Sequence, residues 1–147
     1  MLQLPQETYN ELRAHGEETY PNECCGILLG RAQDGVNVVE QAVRAGNTRT
    51  DSAHNRYQIA PQEIIRAQRE GRERGLDIVG FYHSHPDHPA QWSATDFAEA
   101  HWLGCSYVIT AVVKARATLT NSFRLEGTSE EEKQFSPEPI TLLPHLY

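Results

Sequence analysis

The segment Leu76–His85 places the strongest constraint on the fold, because it has the composition of a β-strand and stops at a proline. Its bulky side chains are β-branched or aromatic, the types that favour strands: Ile78, Val79, Phe81 and Tyr82. Pro86 follows directly, and proline cannot continue the hydrogen-bond ladder of a central strand. We therefore predict a strand whose last residues lie at the mouth of a sheet rather than deep in its core.

Four other segments have strand character. Cys24–Gly30 is a short apolar run bounded by glycines, which predicts a buried strand. Asp34-Gly35 is a hairpin-turn signal, so Val36–Val43 is expected to pair with that run. Ser106–Val113 and Thr118–Leu125 predict two further strands joined as a hairpin.

Helices are predicted at three places between these strands. The first runs from Pro5 to Tyr20, the second from Pro61 to Arg74 on the outside of the sheet, and a short one covers Ser93–Trp102. The resulting order predicts an α/β (α+β) fold, a single mixed β-sheet flanked by helices. Loops are expected at Ala45–Tyr57 and Asp87–Trp92, and a mobile, acidic loop is expected at Gly127–Lys133. Ile140–Leu143 is expected either to form a last strand of the sheet or to contact a partner.

Length and charge narrow the class of protein. The chain has 147 residues, which suits one domain spanning residues 1–147. Its 13 basic and 20 acidic residues give a formal charge of −7, which disfavours nucleic-acid binding because that needs clustered Lys and Arg. No apolar run approaches the roughly 18 residues of a membrane span, and the N-terminus lacks a secretory pattern, so a cytoplasmic protein is expected.

The three cysteines indicate no redox or zinc-ribbon motif. Cys24 and Cys25 are adjacent, Cys105 is distant, and no Cys-x-x-Cys pair occurs. We expect all three to be small buried residues. Cys25 with His83 would in principle suit a cysteine protease, but that interpretation leaves the other polar residues of the region unexplained.

The polar residues with the clearest chemistry follow the central strand. His83 and His85 project to the same face of a strand, and Ser93 and Asp96 begin the next helix. Two imidazoles, one carboxylate and an open fourth position suit a catalytic zinc ion. A surface His pair and a plain Ser-x-x-Asp capping box are the alternatives, and the capping box is compatible with ligation.

Glu23 lies at the start of another apolar strand. By itself it is an ordinary exposed glutamate. Beside a zinc site, hydrolysis needs a base that takes a proton from water and an acid that protonates the leaving amine. A glutamate that does not bind the metal could do both.

Together, Glu23, His83-Ser84-His85-Pro86, Ser93 and Asp96 resemble the JAMM signature of the MPN (Mov34/PAD-1) metallopeptidases, in the compact bacterial type. The resemblance covers about residues 5 to 113, and it implies an MPN/JAMM-like, cytidine-deaminase-like architecture. It implies one zinc ion held by His83, His85 and Asp96 with a water molecule as fourth ligand. It also implies that Glu23 is the general base and that Ser93 stabilises the tetrahedral intermediate.

The same resemblance implies a hydrolase of amide or isopeptide bonds. The stretch Pro86–Trp92 is short and leaves little room for linkage-selecting insertions, so a ubiquitin-like or sulfur-carrier protein conjugate is the expected substrate. An extended Gly-Gly tail could add as a strand beside a sheet edge. The alternative function is a non-catalytic MPN-type scaffold for protein interactions. A nucleobase deaminase is excluded, because its His-x-Glu and Pro-Cys-x-x-Cys motifs do not occur.

Four further residues near these motifs are assigned structural or solvent-exposed positions. His88 is expected in solvent beside the site, and His54 and His101 are expected to be structural or exposed. Trp92 is expected to pack on the following helix as a hydrophobic staple.

Overall fold

The computed structural model describes residues 1–49, 53 and 56–144. Within that part of the chain the helices are α1 (Gln6–Thr19), α2 (Pro61–Glu73) and α3 (Ala94–Ala98). The strands are β1 (Leu2–Pro5), β2 (Cys25–Gln33), β3 (Val36–Ala45), β4 (Asp77–Pro86), β5 (Ser106–Val113), β6 (Arg116–Glu126), β7 (Gln134–Glu138) and β8 (Ile140–Leu143). None of the described helices has the length and apolar character that a membrane crossing requires.

All eight described strands form one mixed sheet in the order β7-β6-β5-β4-β2-β3-β1-β8. The pairs β4–β5, β1–β3 and β1–β8 are parallel, and the other neighbours are antiparallel. The two edge strands, β7 and β8, are separated in the chain only by Pro139. Because two residues span at most about 7 Å, the opposite edges of the sheet meet at that point, and the sheet is curled.

Helix α1 occupies the concave side of this curled sheet. It contacts strands from both halves, among them β3 and β6. Leu12 of α1 lies in a buried apolar cluster with Leu28, Val79 and Tyr82 from the sheet. Helix α2 covers the opposite face over β2 and β4, as the sequence predicts, with its Ala67 in a second apolar cluster.

The predicted fold class, a single mixed sheet flanked by helices, is confirmed. Strands β1 and β7 were not predicted, because each is only four or five residues long, too short for a clear pattern in the sequence. Ile140–Leu143 completes the sheet by pairing with β1. Helix α3 is shorter than the predicted Ser93–Trp102, because the chain turns after Ala98 and brings the Trp102 ring against Phe81, 5.4 Å between centroids.

A tightly packed contact between β2 and β4 fixes how these central strands meet. Gly26 lies opposite Tyr82, whose side chain is among the largest fully buried ones. The Tyr82 hydroxyl lies 2.8 Å from Nδ1 of His15 on α1, so the ring is held at both ends. A Cβ atom at residue 26 would lie 2.0 Å from the Tyr82 ring.

Gly26→Ala is therefore expected to lower the free energy of unfolding by about 2 kcal/mol or more, because the added methyl group would overlap the buried Tyr82 ring. Gly46→Ala is the matched control, since a Cβ there meets nothing within 4 Å. It should change stability by less than about 0.5 kcal/mol. Urea unfolding of both variants measures the difference, and equal stabilities would contradict this packing.

Buried His15 provides a pH-dependent contribution to stability. Burial, with Arg44 nearby, lowers the pKa of its imidazole below the usual value. A lowered histidine pKa means that the neutral form is favoured in the folded state, so stability is lost as the pH falls below the unfolded value of about 6.5. Between pH 7 and pH 5, metal-free His15→Gln should lose less stability than the metal-free parent protein. Parallel pH profiles for the two would be the opposing result.

Candidate metal centre

Two histidines at the end of β4 form the centre of the site. His83 and His85 are two residues apart on the strand, so they share one face, and their Nε2 atoms lie 3.2 Å apart. Their exposed fractions are only 3% and 7%. The pair lies at the end of β4, as expected, but it is buried, because Tyr57 before α2 and helix α3 cover it.

Asp96 comes from helix α3, on the far side of the loop that follows β4. Its Oδ2 lies 3.0 Å from Nε2 of His85 and 3.3 Å from Nε2 of His83. The same carboxylate accepts a hydrogen bond from the backbone N–H of Ser93. Asp96 thus completes a capping box and also faces the imidazoles, so the capping-box and metal-ligand interpretations of the Ser93-x-x-Asp96 motif are compatible.

The three donor atoms have the spacing that zinc requires. Their separations are 3.0, 3.2 and 3.3 Å. With zinc–ligand bonds of about 2.0 to 2.1 Å, the donors of a tetrahedral site lie about 3.3 to 3.4 Å apart. Two imidazole nitrogens and one carboxylate oxygen are also a donor set that zinc accepts. These residues therefore fit a zinc ion with one position left open.

Contacts to the far sides of the two rings fix their orientation. Nδ1 of His85 donates a hydrogen bond to the carbonyl oxygen of Pro89 at 2.8 Å. The lone pair is therefore on Nε2, which faces the other two candidate ligand atoms. The His83 ring stacks on Tyr57, with 4.4 Å between centroids. Its Nδ1 is buried and has no hydrogen-bond partner among the residues described. Each imidazole is thus oriented by a neighbour rather than by solvent.

The electrostatics favour an ionised Asp96 beside a neutral His83. Burial opposes the charged form of His85, but its hydrogen bonds to Asp96 and to the Pro89 carbonyl outweigh burial and raise the pKa of that imidazole. Burial opposes ionisation of Asp96, but His83, His85 and the Ser93 N–H together hold the pKa of its carboxyl well below its usual range. Burial lowers the pKa of His83, which favours the neutral ring. An ionised carboxylate and a neutral imidazole are the forms that bind a metal.

Glu23 approaches the same point from the segment between α1 and β2. A Glu23 oxygen and a ring nitrogen from each histidine all lie within 4.8 Å of one another. The side chain is 3% exposed, so the alternative of an exposed glutamate is wrong. Its backbone N–H donates to the carbonyl of Ala53 at 2.7 Å, and its carbonyl accepts from Asn47, so the peptide is anchored at both ends.

The Glu23 carboxyl is desolvated and incompletely hydrogen-bonded. Its Oε1 is buried without a hydrogen-bond partner among the described residues. Burial raises the pKa of the carboxyl to about 8, with Asp96 adding to the rise and His85 opposing it. The raised pKa makes the ionised carboxylate a stronger base, and below about pH 8 it favours the protonated form.

Ser93 lies at the edge of the same cleft. Its Oγ accepts the backbone N–H of Asp96 at 3.0 Å, which leaves the hydroxyl proton free to donate. Trp92 packs on Phe97, 5.5 Å between ring centroids, so the predicted hydrophobic staple is confirmed. A cleft of about 440 Å³ opens between Ser93, Trp92, Glu23, His85 and exposed His88.

The structure does not favour a thiol nucleophile. Cys25 lies opposite His83 in the β2–β4 pair but is fully buried, and burial strongly raises the pKa of its thiol. The other two cysteines are also buried and free. Exposed His101 contacts Glu130 away from the cleft, and His54 lies outside the described residues.

Sequence reasoning did not identify three residues that surround the site. Tyr57 stacks on His83 from a polar segment without periodicity, and Pro89 orients His85 through its backbone. Lys133 approaches α3 from the segment predicted to be a mobile loop. No motif signals these contacts, because each depends on how distant segments are brought together.

A curled mixed sheet with a His-His-Asp cluster beside a buried glutamate defines an MPN-type fold with a candidate metal centre. Residues 5–126 match the family model described as prokaryotic homologs of the JAB domain. The chain therefore belongs to this family, and the resemblance identified from the sequence is confirmed.

Two curated relatives are similar over most of their length. A protein called desampylase, from Haloferax volcanii, is 31% identical over 112 residues, which cover 74% of this chain and 78% of the relative. A probable TtuB-protein conjugate cleaving protease from Thermus thermophilus is 32% identical over 119 residues, covering 81% and 76% respectively.

A solved structure supports the fold alone. The JAB1/MPN domain protein AF2198 from Archaeoglobus fulgidus aligns with a TM-score of 0.60 over 97% of each chain. Its sequence identity is 10%, so the likeness concerns the architecture of the sheet and helices.

Proposed function

We propose that this protein is a zinc-dependent metallopeptidase that hydrolyses an amide or isopeptide bond at the C-terminal glycine of a ubiquitin-like or sulfur-carrier conjugate. The observation that carries the proposal is the triangle of donor atoms from His83, His85 and Asp96, with separations of 3.0 to 3.3 Å, beside the desolvated carboxyl of Glu23. Membership of the prokaryotic JAB family and the names of the two relatives support it.

In this proposal His83, His85 and Asp96 hold one zinc ion. Bound zinc supplies a Lewis acid that polarises the scissile carbonyl and makes water a better nucleophile near neutral pH. The chain contributes oriented rings, because Pro89 fixes His85 and Tyr57 stacks on His83.

Glu23 is proposed as the general base and then the general acid. Its unpartnered Oε1 accepts a proton from the attacking water, and the carboxyl returns that proton to the nitrogen of the leaving amine. The anchored peptide of Glu23 keeps the carboxyl close to the imidazoles without requiring it to bind the metal. One group thus transfers the proton in both halves of the reaction.

Ser93 is proposed to stabilise the negative charge that develops on the carbonyl oxygen. One lone pair of Oγ is already used by the Asp96 N–H, so the hydroxyl proton is the part of the group left for substrate. A donor fixed in this way needs little reorganisation during the reaction, which is the source of its effect.

The proposed substrate follows from the cleft and the relatives' names. The cleft beside the three candidate ligand atoms is lined by Trp92 and Gln91, and no long insertion extends it among the described residues. It therefore suits an extended peptide tail better than the surface of a folded domain. A tail that ends in glycine can bring its backbone close to the metal centre, because glycine has no Cβ. The names desampylase and TtuB-protein conjugate cleaving protease support a protein conjugate as the substrate class.

Two substitutions test the proposal by separating metal binding from turnover. Glu23→Gln should retain about one zinc per chain and lower turnover of a carrier-protein conjugate by at least about 100-fold, because the proton acceptor is lost. Asp96→Ala should lose the zinc, because one of three protein ligands is removed. Elemental analysis after removal of loosely bound ions gives the metal content, and conjugate cleavage on gels gives the rate.

Normal turnover by Glu23→Gln would overturn the assigned mechanism. A folded parent protein that retains no zinc after reconstitution would overturn the hydrolase proposal and leave the non-catalytic scaffold as the better explanation. The circular-dichroism spectra of the two variants provide the control for folding.

Ser93→Ala should lower kcat by about 100-fold, because a donor to the developing oxyanion is removed. Ser93→Thr is the matched control, since threonine keeps both the capping oxygen and the hydroxyl proton. Zinc content is measured for both variants, which separates loss of the donor from loss of the cap. Equal kcat values for the alanine and threonine variants would show that the hydroxyl has no such role.

A further inference from the structure

Helix α3 carries a proposed metal ligand and depends on a few side-chain contacts for its position. It is five residues long and none of its residues is fully buried, although the Asp96 side chain is only 10% exposed and Phe97 packs against the core. Isolated helices of this length are not stable in water, so their position depends on contacts with the rest of the fold. Asp96 lies in the first turn, and a small rotation of the helix would change the 3.0 and 3.3 Å distances from its Oδ2 to the imidazoles.

Lys133 contacts the end of α3 from the segment before β7. Its Nζ donates to the carbonyl oxygen of Ala100 at 2.8 Å and lies 3.5 Å from that of Ala98. Backbone carbonyls at the end of a helix have no helical partner, and a cation there is favoured by the helix dipole. Lys133 therefore binds the chain two residues after α3 and lies close to the carbonyl of Ala98, the last residue of the helix, whereas the Ser93–Asp96 capping box satisfies the N-terminal end.

The Lys133 side chain is held in this position by burial and by charge. Only 6% of the side chain is exposed, and Nζ lies 2.8 Å from Oε2 of Glu130. The ammonium also lies 5.0 Å from the centre of the Phe97 ring, a cation–π contact with α3 itself. Apart from the ion pair with Glu130, the described contacts of this nearly buried ammonium are with α3 and the residues that follow it, which is typical of a positioning group rather than of a solvated lysine.

Strand β7 supplies an aromatic contact to the same helix. The Phe135 ring lies 5.6 Å from that of Phe97 and 5.5 Å from that of Trp92. Lys133 and Phe135 thus contact α3 from two consecutive parts of the chain, one polar and one apolar. The family match ends at residue 126, so both contacts lie outside the matched region.

We propose that Lys133 is a positioning residue for the metal centre, which sets zinc affinity by fixing the end of α3 and through it the Asp96 carboxylate. This inference rests on the proposed function, because it takes Asp96 as a ligand. Groups that orient metal ligands typically contribute 10- to 100-fold to metal affinity.

The experiment measures the zinc dissociation constant by competition with a chromogenic chelator. Lys133→Met removes the ammonium and keeps an unbranched chain of similar length, and it should weaken zinc binding by about 10-fold or more. Lys133→Arg keeps a cation that can donate to carbonyls, and it should restore most of the affinity. Lys114→Met is the matched control, because it makes the same chemical change at an exposed lysine.

Glu130→Gln separates the ion pair from the helix contact. Glu130 is 57% exposed, so its pair with Lys133 contributes little, and this variant should bind zinc within about two-fold of the parent. A strong effect of Glu130→Gln together with a weak effect of Lys133→Met would assign the role to the loop rather than to the lysine, and it would overturn the proposal.

A spectroscopic measurement distinguishes positioning from general stability. Cobalt(II) substituted at the centre should give a visible absorption band that is altered in Lys133→Met and restored in Lys133→Arg. A variant that only loses stability would have a lower Tm with an unchanged band and an unchanged zinc dissociation constant. That result would overturn the proposal. Should Lys133→Met not fold, Lys133→Gln repeats the measurement with a polar side chain and the same criterion.

Failure of this inference is distinct from failure of the proposed function. If Asp96→Ala keeps its zinc, Asp96 is not a metal ligand, and the proposed role of Lys133 is also wrong. If Asp96→Ala loses zinc while Lys133→Met binds zinc as tightly as the parent, the metal-ligand assignment is supported and only the positioning role of Lys133 is wrong.

Discussion

The structure around the candidate site depends on the contact between one carboxylate oxygen of Asp96 and the two imidazoles of His83 and His85. These atoms are buried within 3.3 Å of one another. Burying a carboxylate is costly unless charges or hydrogen bonds compensate it. Much of the surrounding structure supplies that compensation, since the Ser93 N–H binds the carboxylate and the Pro89 carbonyl orients a ring. The polar centre and its supporting contacts are therefore a single arrangement.

The pairing of β2 with β4 explains why the Glu23 carboxyl lies close to His83 and His85. Strand β2 pairs with β4 so that Cys25 lies opposite His83, which places Glu23 just beyond the end of the pair. That register is maintained by close packing of Gly26 on the buried Tyr82 ring. Glu23 is about sixty residues from the histidines in the chain, yet its carboxyl lies within 4.8 Å of them. Glu23 is thus positioned by strand pairing, whereas Asp96 is positioned by a short helix.

The family match and the contacts that hold α3 concern different parts of the chain. The match to prokaryotic JAB homologs covers α1, strands β2 to β6 and the segments that carry the five motif residues. It does not extend to Lys133 and Phe135, which hold α3 from the C-terminal part of the chain. The geometry of a shared motif is therefore completed here by residues outside the matched region.

The sequence by itself determined the fold class, most strands and the five residues at the site, because periodicity, turn signals and motif spacing are local properties. It predicted that Ser93 and Asp96 begin a helix, and it also indicated a ligand role for Asp96. Only the tertiary structure decided that one carboxylate faces both imidazoles while it caps the helix, that the histidines are buried, and that Lys133 holds α3. Burial and contacts between distant segments depend on how the chain closes on itself, and no local pattern in the sequence encodes them.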